Sequence, residues 1–248
     1  MSGHSKWSTI KRKKGALDAK RSQIFSRLSK EIQIAVREGG PNPETNSRLR
    51  LAIQNAKGAN MPKENIQRII SKSNSEGSNL QEVTFEGYAP GGVAIFIECL
   101  TDNNNRTVSN IRAIFNKRGG NLSTNGSLSF LFERKGVFTI PKSQIKNMEE
   151  FELEIIDAGV EDIEESDDII MLTCPMENFG KINKRLEEMK IEPENAELRR
   201  IPNDYKKLEL ETAQKVLKMI EEFEDNDDVQ NVWHNLEMTD ELANSMNN

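Results

Sequence analysis

Seven of the first twenty-one residues, MSGHSKWSTIKRKKGALDAKR, are lysine or arginine, and one histidine and one tryptophan stand among them. Lys6, Lys11, Arg12, Lys13 and Lys14 lie close enough together to neutralise successive phosphates of a nucleic-acid backbone. Such a grip draws its affinity mainly from the release of condensed counterions. Lys20, Arg21, Arg27 and Lys30 would extend the same chemistry along a helix. Trp7 can stack on an exposed base or ribose, and His4 can hydrogen-bond a phosphate. Trp7 can equally pack the arm onto a helical core beside Ile10, which is the commoner use of a tryptophan. No helix in this segment has the spacing of a base-reading recognition helix. The chemistry on offer is therefore phosphate binding without sequence readout, and it does not separate DNA from RNA.

A second place for an anion is the stretch TDNNNRTVSNIR, residues 101–112. A strand ends near Leu100, and a helix starts near Asn104 with Asp102 or Asn103 as its cap. Helix N-termini attract anions, and Arg106 and Arg112 would add positive charge. Plain capping explains the same residues and is the slightly preferred reading.

Catalytic groupings are missing from the pattern. The two histidines, His4 and His234, fall in different proposed domains. No G-x-S-x-G, His-Glu-x-x-His or phosphate-loop motif accompanies them. The acidic runs EEFEDNDD and EDIEESDD read as solvated faces and turns rather than as carboxylates converging on a metal. The expectation is a non-enzyme with no catalytic residues, no metal and no cofactor. Cys99 and Cys174 each sit in an apolar strand-like run, so neither a disulfide framework nor a zinc site is expected.

The elements that must carry the cations explain a paradox of charge. The 248-residue chain has net charge −6, yet residues 1–72 hold 16 Lys and Arg against 5 Asp and Glu, net +11. The remainder is correspondingly acidic, which points to a polyanion partner for one end only. The acidic surfaces could orient the molecule by repelling nucleic acid or meet a basic protein, ribosomal proteins among them. No apolar run approaches the length needed to cross a bilayer, so no membrane partner is expected and the protein reads as cytoplasmic. Oligomeric state is not legible.

Residues 1–75 read as a basic three-helix domain, with helices near 16–37, 44–59 and from Pro62 onward, and with SKSNSEGSN (71–79) as a linker. The helical spacing puts Lys20, Arg27, Lys30 and Arg37 on a solvent face, with Arg21 inside the apolar arc. Residues 80–134 and 204–238 read as one discontinuous α/β middle domain, in which SLSFLFER is a strand. Residues 135–203 spell βαββαβ, an acidic ferredoxin-like unit inserted into that middle domain. Residues 239–248 read as a polar tail. The fold class is α+β.

The blocks GHSKWSTIK, LDAKR, NSRLRLAI, NMPKENI, GYAPGGVA, TDNNNRT and DVQNVWHN, in that order, resemble the YebC/PmpR family from Ser2 to about residue 238. Members are usually named probable transcriptional regulatory proteins, and a mitochondrial relative is a translational activator of cytochrome c oxidase subunit I. The resemblance implies three domains with an interrupted middle one. It also implies either promoter DNA binding or ribosome binding that relieves stalls at stretches such as proline runs. Asn104 stands where relatives often carry a cation, so the resemblance brings one charge fewer to that loop. Ala89 and Trp233 also depart from the family pattern, as tolerated packing changes.

Overall fold

The computed structural model describes residues 18–76, 79–166 and 168–245, and of residues 18–20 and 76 only the backbone. In chain order the helices are α1 (Asp18–Gly39), α2 (Ser47–Gly58), α3 (Lys63–Glu76), α4 (Asn104–Lys117), α5 (Met148–Ala158), α6 (Phe179–Glu188), α7 (Leu210–Glu224) and α8 (Asp240–Ser245). The strands are β1 (Gln81–Ala89), β2 (Val93–Thr101), β3 (Asn121–Leu122), β4 (Phe132–Pro141), β5 (Asp162–Glu165), β6 (Ile169–Pro175), β7 (Asn195–Pro202) and β8 (Val229–His234). The class is α+β, with a helical front and two four-stranded sheets, as the spacing predicts.

The described residues form two compact units. The first comprises residues 18–27, 79–133 and 201–245. Its sheet has the order β3-β1-β2-β8. β1 and β2 form a hairpin in register from Gln81 opposite Thr101 to Ala89 opposite Val93. The turn between them is Pro90-Gly91-Gly92, and both glycines have positive φ, 75° and 72°, which side-chain-bearing residues rarely adopt. α4 and α7 bury Ile111, Phe115, Val216, Ile220 and Phe223 against one face of the sheet. Residues three and four apart share a helix face, so Thr107, Ile111 and Phe115 line up inward. The rings of Phe115 and Phe223 meet with centroids 4.8 Å apart. On the opposite face Ala94, Phe96, Leu128 and Phe132 make a smaller cluster with Trp233 packed beside it.

The second unit comprises residues 28–76 and 134–200. Its sheet has the order β5-β6-β4-β7, with α5 and α6 as the crossovers, which is the ferredoxin-like arrangement. Phe138, Ile140, Phe151, Ile155, Ile170 and Leu172 lie at its centre. Where the sequence reading separates residues 1–75 from 135–203, the contacts group 28–76 with 134–200. Two polar devices hold the helices here. Asn46 caps α2 by accepting from Leu49 N at 3.0 Å, and it donates to the carbonyls of Ala35 and Gly40 at 2.7 and 2.8 Å. Asn55 of α2 treats the edge strand β7 as a partner. Its amide donates to Ala196 O and accepts from Ala196 N, each at 2.9 Å.

Three expectations change. SLSFLFER is not a strand of its own, because Ser129–Leu131 turn as a 3-10 segment and β4 runs unbroken from Phe132 to Pro141. The linker is shorter than 71–79, because α3 continues to Glu76, with Ser73 buried and back-bonded to Ile69 O at 2.7 Å. The tail is not merely polar. Residues 240–245 form α8, which buries Leu242 and Ala243.

Gly58 ends α2 where a Cβ would lie 1.9 Å from the backbone oxygen of Glu194. Backbone cannot swing aside as a side chain can, so Gly58→Ala is expected to destabilise by about 1–3 kcal/mol. That corresponds to a melting temperature lower by several degrees, roughly 2–4 °C per kcal/mol at this size. Gly180→Ala in α6, with nothing within 4 Å, should leave the melting temperature unchanged or raise it.

Candidate nucleic-acid interface

His4, Lys6, Trp7, Lys11, Arg12, Lys13 and Lys14 lie outside the described residues. Lys20 belongs to α1, and its side chain is outside the description as well. The first side chain of the candidate interface in view is Arg21. It is exposed, with its guanidinium 5.4 Å from the centroid of the Phe25 ring, an arrangement that leaves the charge available.

Arg27 departs from its expected solvent face. It is half-buried and donates to the carbonyl of Glu224, the last residue of α7, which also accepts from Gln23 Nε2 at 2.6 Å. Burial pushes the Arg27 pKa down, while Glu224, Asp225 and Asp227 pull it back up. A cation at a helix C-terminus satisfies the orphan carbonyls and the negative end of the dipole. Arg27 is thus engaged within the protein. Lys30 is half-buried on the second part of α1.

The TDNNNRT stretch is a structural lock. Asn103 caps α4 by accepting from Arg106 N at 3.1 Å. Arg106 reaches Asp102 at 2.8 Å and both oxygens of Asp228 at 3.1 and 2.9 Å. Thr107 donates to Asp228 at 2.9 Å, and its hydroxyl lies 2.8 Å from that of Thr101. Asp228, Thr101 and Thr107 are all buried. The bonds to Asp228, then to Asp102, raise the Arg106 pKa further. Two carboxylates already neutralise this guanidinium, so the loop offers an incoming phosphate little net charge. Arg112, farther along α4, is exposed.

Cations that sequence reasoning did not place in the interface stand out in the second unit. Arg50 and Lys57 on α2, and Lys63 and Arg68 on α3, are all exposed. Among the described residues Arg50 and Arg68 hydrogen-bond neutral oxygens, of Glu44 O and Asn65, at 3.4 and 3.1 Å, so their charge is uncompensated by those contacts. Arg48 of α2 instead pairs with Glu38 at 2.7 Å and Glu31 at 3.4 Å. Glu31 and Glu38, both in α1, are the carboxylates that Arg48 meets, while α3 carries Glu64 in its first turn and Glu76 as its last residue.

Both cysteines are buried, and among the described residues neither forms a disulfide. Burial pushes the Cys174 thiol up to about 11, so it is overwhelmingly protonated at neutral pH. Among the described residues no three His, Cys, Asp or Glu side chains are grouped to hold a metal, and no helix is long and apolar enough to cross a membrane.

Replacing Asp228 tests the lock. Asp228→Asn keeps the shape but removes the charge that holds Arg106, and should cost about 1–3 kcal/mol. Thermal melting should fall by several degrees while affinity for nucleic acid stays the same. Tighter binding by the variant would place the freed Arg106 in the interface after all.

Comparison with known proteins adds the remaining finding. A family profile described as "TACO1/YebC protein N-terminal domain" matches residues 5–76, and one described as "TACO1/YebC second and third domain" matches residues 80–236. A protein of Amoebophilus asiaticus named probable transcriptional regulatory protein is 50% identical over 239 residues, 95% of this chain and 98% of that one. A protein of the same name from Thermotoga petrophila is 50% identical over 242 residues, 97% and 95% of the two chains. The crystal structure of a conserved hypothetical protein from Aquifex aeolicus superposes with a TM-score of 0.81 at 43% identity, covering 90% of this chain and 93% of that one. With both profiles matched in order along nearly the whole length, the chain belongs to the TACO1/YebC family.

Proposed function

We propose that this protein is a non-enzymatic, nucleic-acid-binding regulator of gene expression, and specifically a DNA-binding transcriptional regulator, in keeping with the name its relatives carry. The observation that carries the proposal is the concentration of 16 Lys and Arg against 5 Asp and Glu in residues 1–72 of a chain whose net charge is −6. Such segregation is the electrostatic footprint of a polyanion-binding segment. Lys6, Lys11, Arg12, Lys13 and Lys14 supply the arm, and Arg21, Arg50, Lys57, Lys63 and Arg68 supply exposed charge on the helices.

A second reading is a ribosome-associated translation factor that binds ribosomal RNA and relieves stalls. One feature favours it. The exposed cations are divided between α2 and α3, and phosphate contacts of that kind position a protein without reading sequence.

The two readings part in a single set of binding measurements on the full chain at fixed salt. A transcriptional regulator should hold one duplex at least about a thousandfold tighter than random duplex. Uniform duplex affinity, together with co-sedimentation with ribosomes, decides for the second reading. In either case replacing Lys11, Arg12, Lys13 and Lys14 together by Ala should weaken binding at least tenfold. Unchanged affinity would remove the arm from the interface.

A further inference from the structure

The loop between β3 and β4 carries Phe130, which at 71% exposure is the most exposed large apolar side chain among the described residues. The loop that presents it is firmly built. Glu86 of β1 is only 2% exposed, and its carboxylate accepts the N–H groups of Gly126 at 2.7 Å and Leu128 at 2.6 Å. The carbonyl of Glu86 takes Ser123 N at 2.7 Å. Leu128 is fully buried against Ala94, Phe96 and Phe132. On the far side Asn203 donates its side-chain amide to Phe130 O and its backbone N–H to Leu131 O, both at 2.9 Å. A buried carboxylate is costly unless several donors meet it. Here those donors are the N–H groups of Gly126 and Leu128 with the Ser127 hydroxyl at 3.5 Å, so the backbone before Phe130 is fixed from this side and the backbone after it by Asn203, while the ring stays in water.

The surroundings of the ring select a ligand. Residues 123–131, STNGSLSFL, carry no charge. Thr124, Asn125, Ser127 and Ser129 are small and polar, so no bulky side chain of the loop keeps a planar group away; the carboxylates of Glu133, which follows the loop in sequence, and Asp204, which follows Asn203, lie outside the loop. A protein-docking patch gathers several apolar side chains around a central anchor, whereas the other exposed side chains of this loop are hydroxyls and an amide. Base stacking on a fixed aromatic needs only an open ring face, and the polar neighbours can reach a base edge.

We infer that Phe130 is a stacking platform for an unpaired nucleobase. The inference rests on the nucleic-acid reading above, within which the ring serves the unpaired bases of a looped RNA or an opened duplex, because in closed duplex the bases are already stacked.

The test uses the full chain with four probes of equal length: single-stranded RNA, single-stranded DNA, the DNA duplex, and a strand whose bases are removed. Phe130→Ala should lose about fivefold to a hundredfold in affinity for the base-bearing single strands. It should bind the duplex and the abasic strand as the native protein does. Phe130→Tyr should retain native affinity. In Phe130→Trp the added fluorescence should be quenched by base-bearing strands and not by the abasic one. The relative loss for RNA and DNA strands tells which source of unpaired base the ring prefers. Because Phe130 is exposed, Phe130→Ala should melt as the native protein does. If the native protein binds the base-bearing strands and Phe130→Ala binds them equally well, stacking is overturned, the ring belongs to a protein contact, and the nucleic-acid reading stands. If the native protein binds none of the probes in low salt, the nucleic-acid reading itself fails and takes the stacking site with it.

Discussion

Charge segregation is the constraint on which the rest of this molecule depends. A chain with net charge −6 keeps net +11 within its first 72 residues. The acidic remainder could draw those cations inward and cancel them, and in places it does. Arg27 is held at the C-terminus of α7, and Arg106, from outside the basic segment, is held between Asp102 and Asp228. Arg48 of α2 is likewise paired, with Glu38 and Glu31, whereas Arg50 and Lys57 of α2 and Lys63 and Arg68 of α3 are exposed. A phosphate chain meeting the basic segment replaces condensed counterions with fixed cations, and the entropy of the released ions drives the association.

Buried and half-buried polar side chains set the loops. Asp228 fixes the start of α4, Glu86 fixes the turn before β4, Asn46 closes the corner between α1 and α2, and Asn55 ties α2 to β7. Each answers the same need. A backbone donor or acceptor without water must find a partner, and leaving one unmet costs about 1–3 kcal/mol. Functional geometry follows from these anchors. Where the anchor is a carboxylate that absorbs an arginine, the loop becomes structural. Where it is a carboxylate that accepts the loop's own N–H groups and the Ser127 hydroxyl, it holds the backbone of the loop in place.

Local periodicity made much of this legible. The helices from α1 to α7, the β1–β2 hairpin and the ferredoxin-like unit follow from spacing and turn residues. What escaped was non-local. Nothing in the spacing of α1 reveals that the carbonyl of Glu224, almost 200 positions later, takes the guanidinium of Arg27. Arg106 looks like a phosphate ligand until Asp228 is brought beside it by β8. The alternation of SLSFLFER mimics a strand, and only the Glu86 carboxylate shows why Ser129–Leu131 turn instead. Leu242 and Ala243 were hidden by the polar residues around them. The basic segment was half legible. Its charge is written in the composition, whereas the division of its arginines between solvent and ion pairs required the fold.

The most direct measurement is the salt dependence of binding by the intact protein to a polyphosphate strand. About six phosphate contacts should make log K fall with log salt at a slope near −5 for duplex DNA, and near −4 for a single strand. Affinity that stays level between low and physiological salt would contradict the account, because no ion exchange would then be taking place at the basic segment.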